Sequence, residues 1–395
     1  MFSYYLLISL PLQFYLFLRA RRFVRERFAG KKGHDSLIAL NAFWFLVLLV
    51  PLACRVFAGA SYDALESREF RSLFYATSIW GVGAIGCALV LLGYNWFRRV
   101  NPSVPASTPD VSRREFLRRS VNFAAAAPFA VSGYGVLLER RRFSIERFEI
   151  AISELPESLS QLRIVQLTDV HAGPFMSSED LKQYADAVNE LQPDLIVLTG
   201  DFVTGEFDEA NICADGLAGL KARYGVFACM GNHDIHAGAD DRLTELFAKH
   251  GIHTLRNDGV TLATAAGRIS ILGIDDLKLG KPDLAGAQRA VDDDPGELKI
   301  LLSHRPEIFP LAAQAGIDLV VSGHYHGGQV KPYMGCESPS VARLLTPYAE
   351  GLYRLQPTSA KRSTHLFVGR GIGTSGLPIR VNCPPQIAEL VLIQV

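Results

Sequence analysis

The chain has 395 residues, of which 40 are Lys or Arg and 40 are Asp or Glu, so its formal net charge is zero. A neutral chain without a basic stripe interleaved with aromatic residues is not typical of a nuclease, and we expect no nucleic-acid partner. The six cysteines are dispersed without C-x-x-C spacing, which argues against a zinc ribbon and against a disulfide framework.

The first third of the chain is much more apolar than the rest. Long apolar runs cover about residues 2–18, 37–60 and 72–97, and each is close to the ~20 residues that a helix needs to cross a bilayer. A buried helix of a soluble protein would not be apolar on all sides over this length. We therefore predict three membrane-spanning helices.

The charged residues between these runs indicate their orientation. Seven Lys or Arg residues lie between positions 19 and 32, and Arg98 and Arg99 follow the third run, so both segments are expected on the cytoplasmic side. The loop between the second and third runs carries Arg and acidic residues in balance, which fits the outer side. The N-terminus is then expected outside as well.

Residues 112–138 resemble a twin-arginine export signal placed inside the chain. The segment begins Ser-Arg-Arg-Glu-Phe-Leu-Arg at Ser112 and continues into an Ala-rich apolar run. Its arginine pair lies on the side assigned to the cytoplasm, so the run is predicted to be an uncleaved fourth span that carries the rest of the chain outward. The alternative is a basic cluster that binds anionic lipid headgroups. The basic residues from Arg140 to Arg142, directly after the run, oppose export.

From about residue 148 to residue 395 the chain is long enough for one α/β domain with a full core. Five short runs rich in Ile, Val and Leu are typical of strands buried on both faces. Helical segments such as 178–191, 239–250 and 306–315 alternate with them. The predicted strands are Arg163 to Thr168, Asp194 to Thr199, Gly225 to Met230, Leu298 to Ser303 and Asp318 to Ser322.

Each of these five strands is followed by residues of types that bind metal ions. Ligands gather at the carboxyl ends of strands in open α/β sheets, so the clusters are expected to meet at one edge. A lone Gly-Asp turn or a lone His is weak evidence, but five clusters at five strand ends are hard to attribute to chance. They are Asp169-Val170-His171, Gly200-Asp201, Gly231-Asn232-His233-Asp234, His304 and Gly323-His324-Tyr325-His326.

In order and in residue type the clusters resemble the calcineurin-like metallophosphoesterase family, whose pattern is D-x-H, G-D, G-N-H-D/E, H and G-H-x-H. The resemblance covers about Leu162 to Val395. The segments Gly327 to Val330 and Gly369 to Arg380 look like a branch of small bacterial exported phosphoesterases. The resemblance to this family implies an α/β fold in four layers, αββα, with helices outside two packed sheets. In this chain the membrane region 1–138 precedes that fold. Tyr325 departs from the Thr that many relatives carry.

The resemblance also implies two divalent metal ions. Mixed imidazole, carboxylate and amide ligands suit Mn, Fe or Zn and disfavour an all-oxygen Ca or Mg site. Two such cations would neutralise the phosphoryl oxygens and lower the pKa of a bridging water, so that hydroxide attacks the phosphorus near neutral pH. Carried over by the motif, the first metal takes Asp169, His171, Asp201 and His326, and the second takes Asp201, Asn232, His304 and His324.

Three further residues receive roles from the resemblance. His233 would face the substrate without binding metal, stabilise the phosphoryl charge and donate a proton to the leaving alkoxide. Asp234 would hold the imidazole of His233 in one tautomer. Arg370 would lie near the phosphate in a Gly-rich loop, although a turn between two closing strands, 365–368 and 387–393, explains that stretch equally well.

These features predict a membrane-anchored phosphoesterase that hydrolyses phosphate ester or pyrophosphate bonds. Its catalytic domain is expected on the outer, periplasmic face of the cytoplasmic membrane. The substrate is phosphorylated, and a lipid-linked substrate is favoured only by closeness to the bilayer. Two alternatives stay open, a noncatalytic envelope scaffold that keeps the fold and a phosphodiesterase that faces the cytoplasm; the intact ligand set favours an enzyme.

Overall fold

The computed structural model describes residues 2–28, 30, 32–44, 68–100, 111–153, 155–265, 267–291, 297–332, 340–356 and 362–394. The chain divides into two compact units. The N-terminal unit comprises Met1–Leu138 and Gly376–Ile379, and the C-terminal unit comprises Glu139–Ser375 and Arg380–Val395.

The N-terminal unit is helical, with helices α1 (Phe2–Arg27), α2 (Arg68–Val100) and α3 (Val111–Leu137). Residues 32–44 are also helical. Helices α2 and α3 pack closely at Gly83, which has no side chain. A Cβ atom at this position would lie only 2.4 Å from the Phe129 ring. Small residues of this kind allow helix backbones to approach one another, as they do in membrane bundles.

Two helical stretches, Arg71–Val100 and Glu115–Arg141, are long and apolar enough to cross a membrane by length and composition. They coincide with the predicted span 72–97 and with the apolar part of residues 112–138. Residues 2–18 lie within helix α1. Most of the predicted span 37–60 lies outside the described residues.

The C-terminal unit is built on two six-stranded sheets. Its strands are β1 (Ser144–Ile152), β2 (Arg163–Leu167), β3 (Leu195–Thr199), β4 (Val226–Cys229), β5 (Ile252–Thr254), β6 (Asp258–Thr264), β7 (Gly267–Gly273), β8 (Leu298–Leu302), β9 (Leu319–Ser322), β10 (Gly351–Leu355), β11 (Thr364–Val368) and β12 (Gln386–Gln394). The first sheet has the order β1-β12-β2-β3-β4-β5, and the second has the order β10-β11-β9-β8-β7-β6.

The strands that precede the predicted ligands run parallel inside each sheet. Strands β2, β3 and β4 are parallel neighbours in the first sheet, as are β8 and β9 in the second. Parallel neighbours end at the same edge of a sheet, so the residues that follow them are brought together.

The helices of this unit are α4 (Ser178–Glu190), α5 (Glu209–Leu217), α6 (Asn232–His236), α7 (Asp240–Lys249), α8 (Leu284–Arg289) and α9 (Phe309–Gln314). The inner faces of the two sheets bury one apolar core, with Val197 and Phe227 from the first sheet against Ile271 and Ile300 from the second. Helices α4, α5 and α7 pack on the outer face of the first sheet, and α8 and α9 pack on the outer face of the second. The predicted four-layer α/β architecture is therefore confirmed.

The five ligand-bearing strands lie where the apolar runs predicted them, to within one residue at each end. Strand β1 was missed, because its alternating exposed residues, such as Glu146, give it no continuous apolar run. The predicted domain start at residue 148 falls inside β1. The C-terminal unit begins at Glu139, whose carboxylate accepts a hydrogen bond from the Cys383 amide at 2.9 Å.

Candidate metal centre

The loops after five strands carry all seven predicted ligands to one edge of the sandwich. Asp169 and His171 follow β2, Asp201 follows β3, Asn232 follows β4, His304 follows β8, and His324 and His326 follow β9. Most of these side chains are buried; Asn232 and His324 are partly accessible. Polar groups are costly to bury unless they have partners, so the cluster requires a physical explanation.

The first group of possible ligands is formed by Asp169, His171 and His326, whose ligand atoms lie within 4.8 Å of one another. The Nε2 atoms of His171 and His326 are 3.1 Å apart. The Nε2 atom of His326 is also 3.2 Å from Oδ1 of Asp169.

The second group is formed by Asp201, His304 and His324. The Nε2 atom of His304 lies 3.1 Å from Oδ2 of Asp201 and 3.2 Å from Nδ1 of His324. The same Oδ2 atom is 3.7 Å from Nε2 of His171 in the first group. The Asp201 carboxylate therefore stands between the two groups.

The donor set fits divalent metal ions. Burial lowers the pKa of His171 to about 3 and that of His324 to about 2, so both imidazoles are neutral and have a lone pair to offer. At His304 burial acts in the same direction, but Asp201 and Asp169 together raise its pKa to about 10, so this imidazole must release a proton when a metal ion binds. Neutral imidazoles whose nitrogens face one another at 3.1 Å beside buried carboxylates match the ligand preference of transition metals.

The backbone at the ligands adopts an unusual conformation. Five of them have φ in the left-handed region, which non-glycine residues rarely adopt. Such strain is kept where the surrounding structure imposes it, most often at functional sites. The five are Asp169 (φ 50°), His171 (47°), Asp201 (55°), His324 (78°) and His326 (51°).

The role predicted for Asp234 needs correction. Its carboxylate does not contact the His233 ring. It accepts hydrogen bonds from the backbone amides of Asp201, Phe202 and Gly231, at 2.7–3.0 Å. The Nδ1 atom of His233 lies instead 2.5 Å from the Thr204 carbonyl. A carbonyl only accepts, so Nδ1 carries the proton and Thr204 is the group that fixes the tautomer.

His233 lies at the border of the ligand cluster. Its ring meets that of His171 edge to face, with centroids 4.7 Å apart, and its amide donates to Oδ1 of Asp201 at 2.8 Å. The atoms of His171, Asp201 and His233 are also close enough to form a third possible ligand group. The nonligand role of His233 therefore stays a prediction.

The Gly-rich stretch braces Asp169 from behind. The amide of Gly373 donates to the Asp169 carbonyl at 2.8 Å, and a Cβ atom at Gly371 would lie 2.6 Å from the Cβ of Asp169. The guanidinium of Arg370 pairs with Glu146 and lies 3.4 Å from the Ser144 hydroxyl, both on β1. A role for Arg370 in phosphate binding thus gains no support from its contacts.

The variable residue of the G-H-x-H motif lies beside the cluster. The Tyr325 hydroxyl donates a hydrogen bond to Glu307, and its ring meets the His324 ring at a centroid distance of 4.7 Å. This pair forms part of the rim next to the second group. Tyr325 thus stays close enough to influence which substrates reach the ligands.

Sequence reasoning missed Arg380, which is fully buried. Its guanidinium donates to four backbone carbonyls, those of Arg370, Gly371, Gly373 and Cys383, at 2.6–3.1 Å. It therefore holds the loop that braces Asp169. No pattern in the sequence distinguishes this arginine from a surface one.

Sequence reasoning also missed Arg305 and Asp276. The Nε atom of Arg305 donates to Oδ2 of Asp276 at 2.6 Å. The same guanidinium reaches two predicted ligands, Asn232 and His324, at 3.0 and 2.5 Å. Its place directly after His304 is the one sequence signal that could have indicated it.

Comparison with known proteins agrees with this architecture. A family model described as calcineurin-like phosphoesterase matches residues 162–328. The chain is 33% identical over 294 residues to an uncharacterized metallophosphoesterase, YkuE, of Bacillus subtilis, covering 71% of this chain and 98% of that protein. The chain therefore belongs to the calcineurin-like metallophosphoesterase family. Membership implies a phosphoester hydrolase that uses divalent metals and acts on phosphorylated substrates.

Two vertebrate relatives carry a name that bears on the N-terminal unit. Proteins named transmembrane protein with metallophosphoesterase domain are 32% identical in Danio rerio and 29% identical in Bos taurus. The alignments cover 66% and 90% of this chain, and 60% and 78% of those proteins. Together with the two apolar helical stretches, these relatives suggest membrane association.

We predict that Arg380→Met destabilises the C-terminal unit, because four buried carbonyls lose their donor. The cost should be about 3 kcal/mol, which lowers the thermal midpoint by roughly 6–12 °C. Thermal unfolding of the detergent-solubilised chain, followed by near-ultraviolet circular dichroism, measures it. The matched control is Arg354→Met, at an exposed position on β10, and equal midpoints for the two variants would contradict the bracing role.

Proposed function

We propose that this protein is a membrane-anchored phosphoesterase with two metal ions that hydrolyses phosphate ester or pyrophosphate bonds. The observation that carries the proposal is the position of the Asp201 carboxylate, which is within 3.1 Å of His304 in one ligand group and 3.7 Å of His171 in the other. A shared carboxylate between two sets of imidazoles is the arrangement that a two-metal hydrolase needs.

The ligands are assigned as the motif implies, and Mn, Fe or Zn suits them. When bound, two such ions neutralise phosphoryl charge and supply a nucleophilic oxygen near neutral pH. The first ion is assigned to Asp169, His171, Asp201 and His326, and the second is assigned to Asp201, Asn232, His304 and His324.

The protein's own acid is His233. Its Nδ1 proton is held by the Thr204 carbonyl, so the ring is fixed and Nε2 is the atom that can carry a second proton. A protonated Nε2 stabilises negative charge on the phosphoryl oxygens and gives its proton to the departing oxygen of the ester. Asp234 supports this residue indirectly, because its carboxylate fixes the Asp201 backbone and Oδ1 of Asp201 accepts a hydrogen bond from the His233 amide.

The membrane arrangement is also a proposal. Residues 1–138 form a multi-pass membrane region in the cytoplasmic membrane, and the residues after it form the phosphoesterase domain on the periplasmic face. The distribution of Lys and Arg along the first 119 residues supports this orientation. A domain held beside the bilayer would meet lipid-linked substrates, so these are the first phosphorylated compounds to test.

We predict that hydrolysis by the 395-residue chain depends on a divalent transition metal. Chelation of the detergent-solubilised protein should abolish turnover of p-nitrophenyl phosphate and bis-p-nitrophenyl phosphate, and Mn²⁺ should restore it. Steady-state release of nitrophenol measures the effect. Undiminished turnover by protein shown to be metal-free would exclude the mechanism, and a folded, metal-loaded chain that turns over no ester would favour a scaffold.

The roles of Asp201 and His233 should separate in their variants. Asp201→Asn weakens a ligand shared by both ions, so bound metal and rate should fall together. His233→Ala should keep its metal and lose ~10²–10⁴-fold in rate if it acts as the acid. Metal content by elemental analysis, measured beside kcat, distinguishes the two. His250→Ala, at an exposed position, is the control, and loss of metal from His233→Ala would make His233 a ligand.

The orientation predicts the fate of a C-terminal reporter. A reporter fused after Val395 should behave as exported, and changing Arg113 and Arg114 to Lys should retain the domain inside if the pair is a twin-arginine signal. Protease added to spheroplasts should digest the domain of the unmodified protein. Protection of that domain, while an outer-face control is digested, would place it in the cytoplasm.

A further inference from the structure

Arg305 enters the ligand cluster from the side of the second group. Its side chain is only 8% exposed. One terminal nitrogen, Nη2, lies 3.0 Å from Oδ1 of Asn232, and the other, Nη1, lies 2.5 Å from Nε2 of His324. Both ends of the guanidinium fork therefore face residues assigned to one metal ion.

The orientation of this fork is fixed by Asp276. Oδ2 of Asp276 accepts from Nε of Arg305 at 2.6 Å, and its side chain is fully buried. The other oxygen, Oδ1, accepts the amides of Lys278 and Leu279 at 3.0 and 2.9 Å. Both carboxylate oxygens are thus engaged. Asp276 binds only Nε of Arg305, so the two terminal nitrogens stay directed at Asn232 and His324.

Electrostatics indicates what a cation at this position does. A guanidinium stays charged at any physiological pH, and beside two divalent ions it would be repelled unless an anion lay between them. Planar N–H donors in a fork match the oxygens of a phosphoryl group, which they bind in bidentate fashion. A buried, pre-oriented arginine at the border of a dinuclear site therefore suits an anionic ligand better than a structural role alone.

Arg370, the arginine that the sequence singled out, is placed differently. Its guanidinium pairs with Glu146 on β1, whereas that of Arg305 contacts two predicted ligands. The two arginines thus offer a matched comparison within one protein.

We propose that Arg305, oriented by Asp276, binds the phosphoryl oxygens of the substrate. This inference rests on the proposed function and adds to it the cation that recognises the anionic group. Because it concerns the phosphoryl group itself, it applies to monoesters and diesters alike.

The test measures phosphate affinity separately from turnover. In the Mn²⁺-loaded 395-residue chain, Arg305→Ala should raise the inhibition constant of inorganic phosphate about 10- to 100-fold and raise the KM for p-nitrophenyl phosphate to a similar extent. Bound metal should stay equal to that of the unmodified protein. Arg305→Lys keeps the charge without the fork and should lose less, and added guanidinium should restore phosphate affinity to Arg305→Ala. Arg370→Ala is the control and should bind phosphate as the unmodified protein does.

Each failure points to a different error. Phosphate affinity that is unchanged in both Arg305 variants, in a chain that hydrolyses esters with metal, overturns the inference and leaves the proposed function intact. Loss of metal from Arg305→Ala also overturns it, because the residue would then hold the ligands in place. Absence of metal-dependent hydrolysis in the unmodified chain contradicts the proposed function itself.

Discussion

The carboxylate of Asp234 is the contact on which the ligand geometry depends. It lies fully buried and accepts the amides of Asp201, Phe202 and Val203 after β3 and that of Gly231 after β4, at 2.7–3.1 Å. One side chain thereby joins two loops from neighbouring parallel strands. Charge-assisted hydrogen bonds to backbone amides are strong in a buried setting, so the loops cannot separate without leaving the carboxylate unsatisfied. The position of Asp201 between its two ligand groups follows from this connection.

Glycines make that connection sterically feasible. A Cβ atom at Gly231 would lie 2.3 Å from the Asp201 amide nitrogen, and one at Gly200 would lie 2.5 Å from the Gly231 amide nitrogen. Gly200 also has a φ of 81°, which other residues rarely adopt. The glycines of the G-D and G-N-H-D motifs therefore allow the two backbones to pack closely, which places Asp201 and Asn232 among the predicted ligands.

Three arginines near the cluster point their guanidinium groups in different directions, because each is held by a different carbonyl or carboxylate partner. Arg380 is enclosed by backbone carbonyls, which accept its hydrogen bonds and fix the Gly-rich loop. Arg370 faces a carboxylate on β1. Arg305 is held by Asp276 through Nε alone, which leaves its fork directed at Asn232 and His324. The last arrangement is the one that we propose binds a substrate anion.

The sequence by itself determined the strand ends and the ligand types. Continuous apolar runs predict β2, β3, β4, β8 and β9, since strands buried on both faces need no alternation, and the metal-binding residue types follow each run directly. The sequence did not indicate β1, because exposed residues alternate with less exposed ones along this strand and no continuous apolar run marks it. It also could not assign partners to side chains, because a hydrogen bond between residues far apart along the chain leaves no local pattern. Whether Asp234 contacts His233 or the β3 loop, and whether Arg305 or Arg370 reaches the ligands, was decided only by tertiary packing.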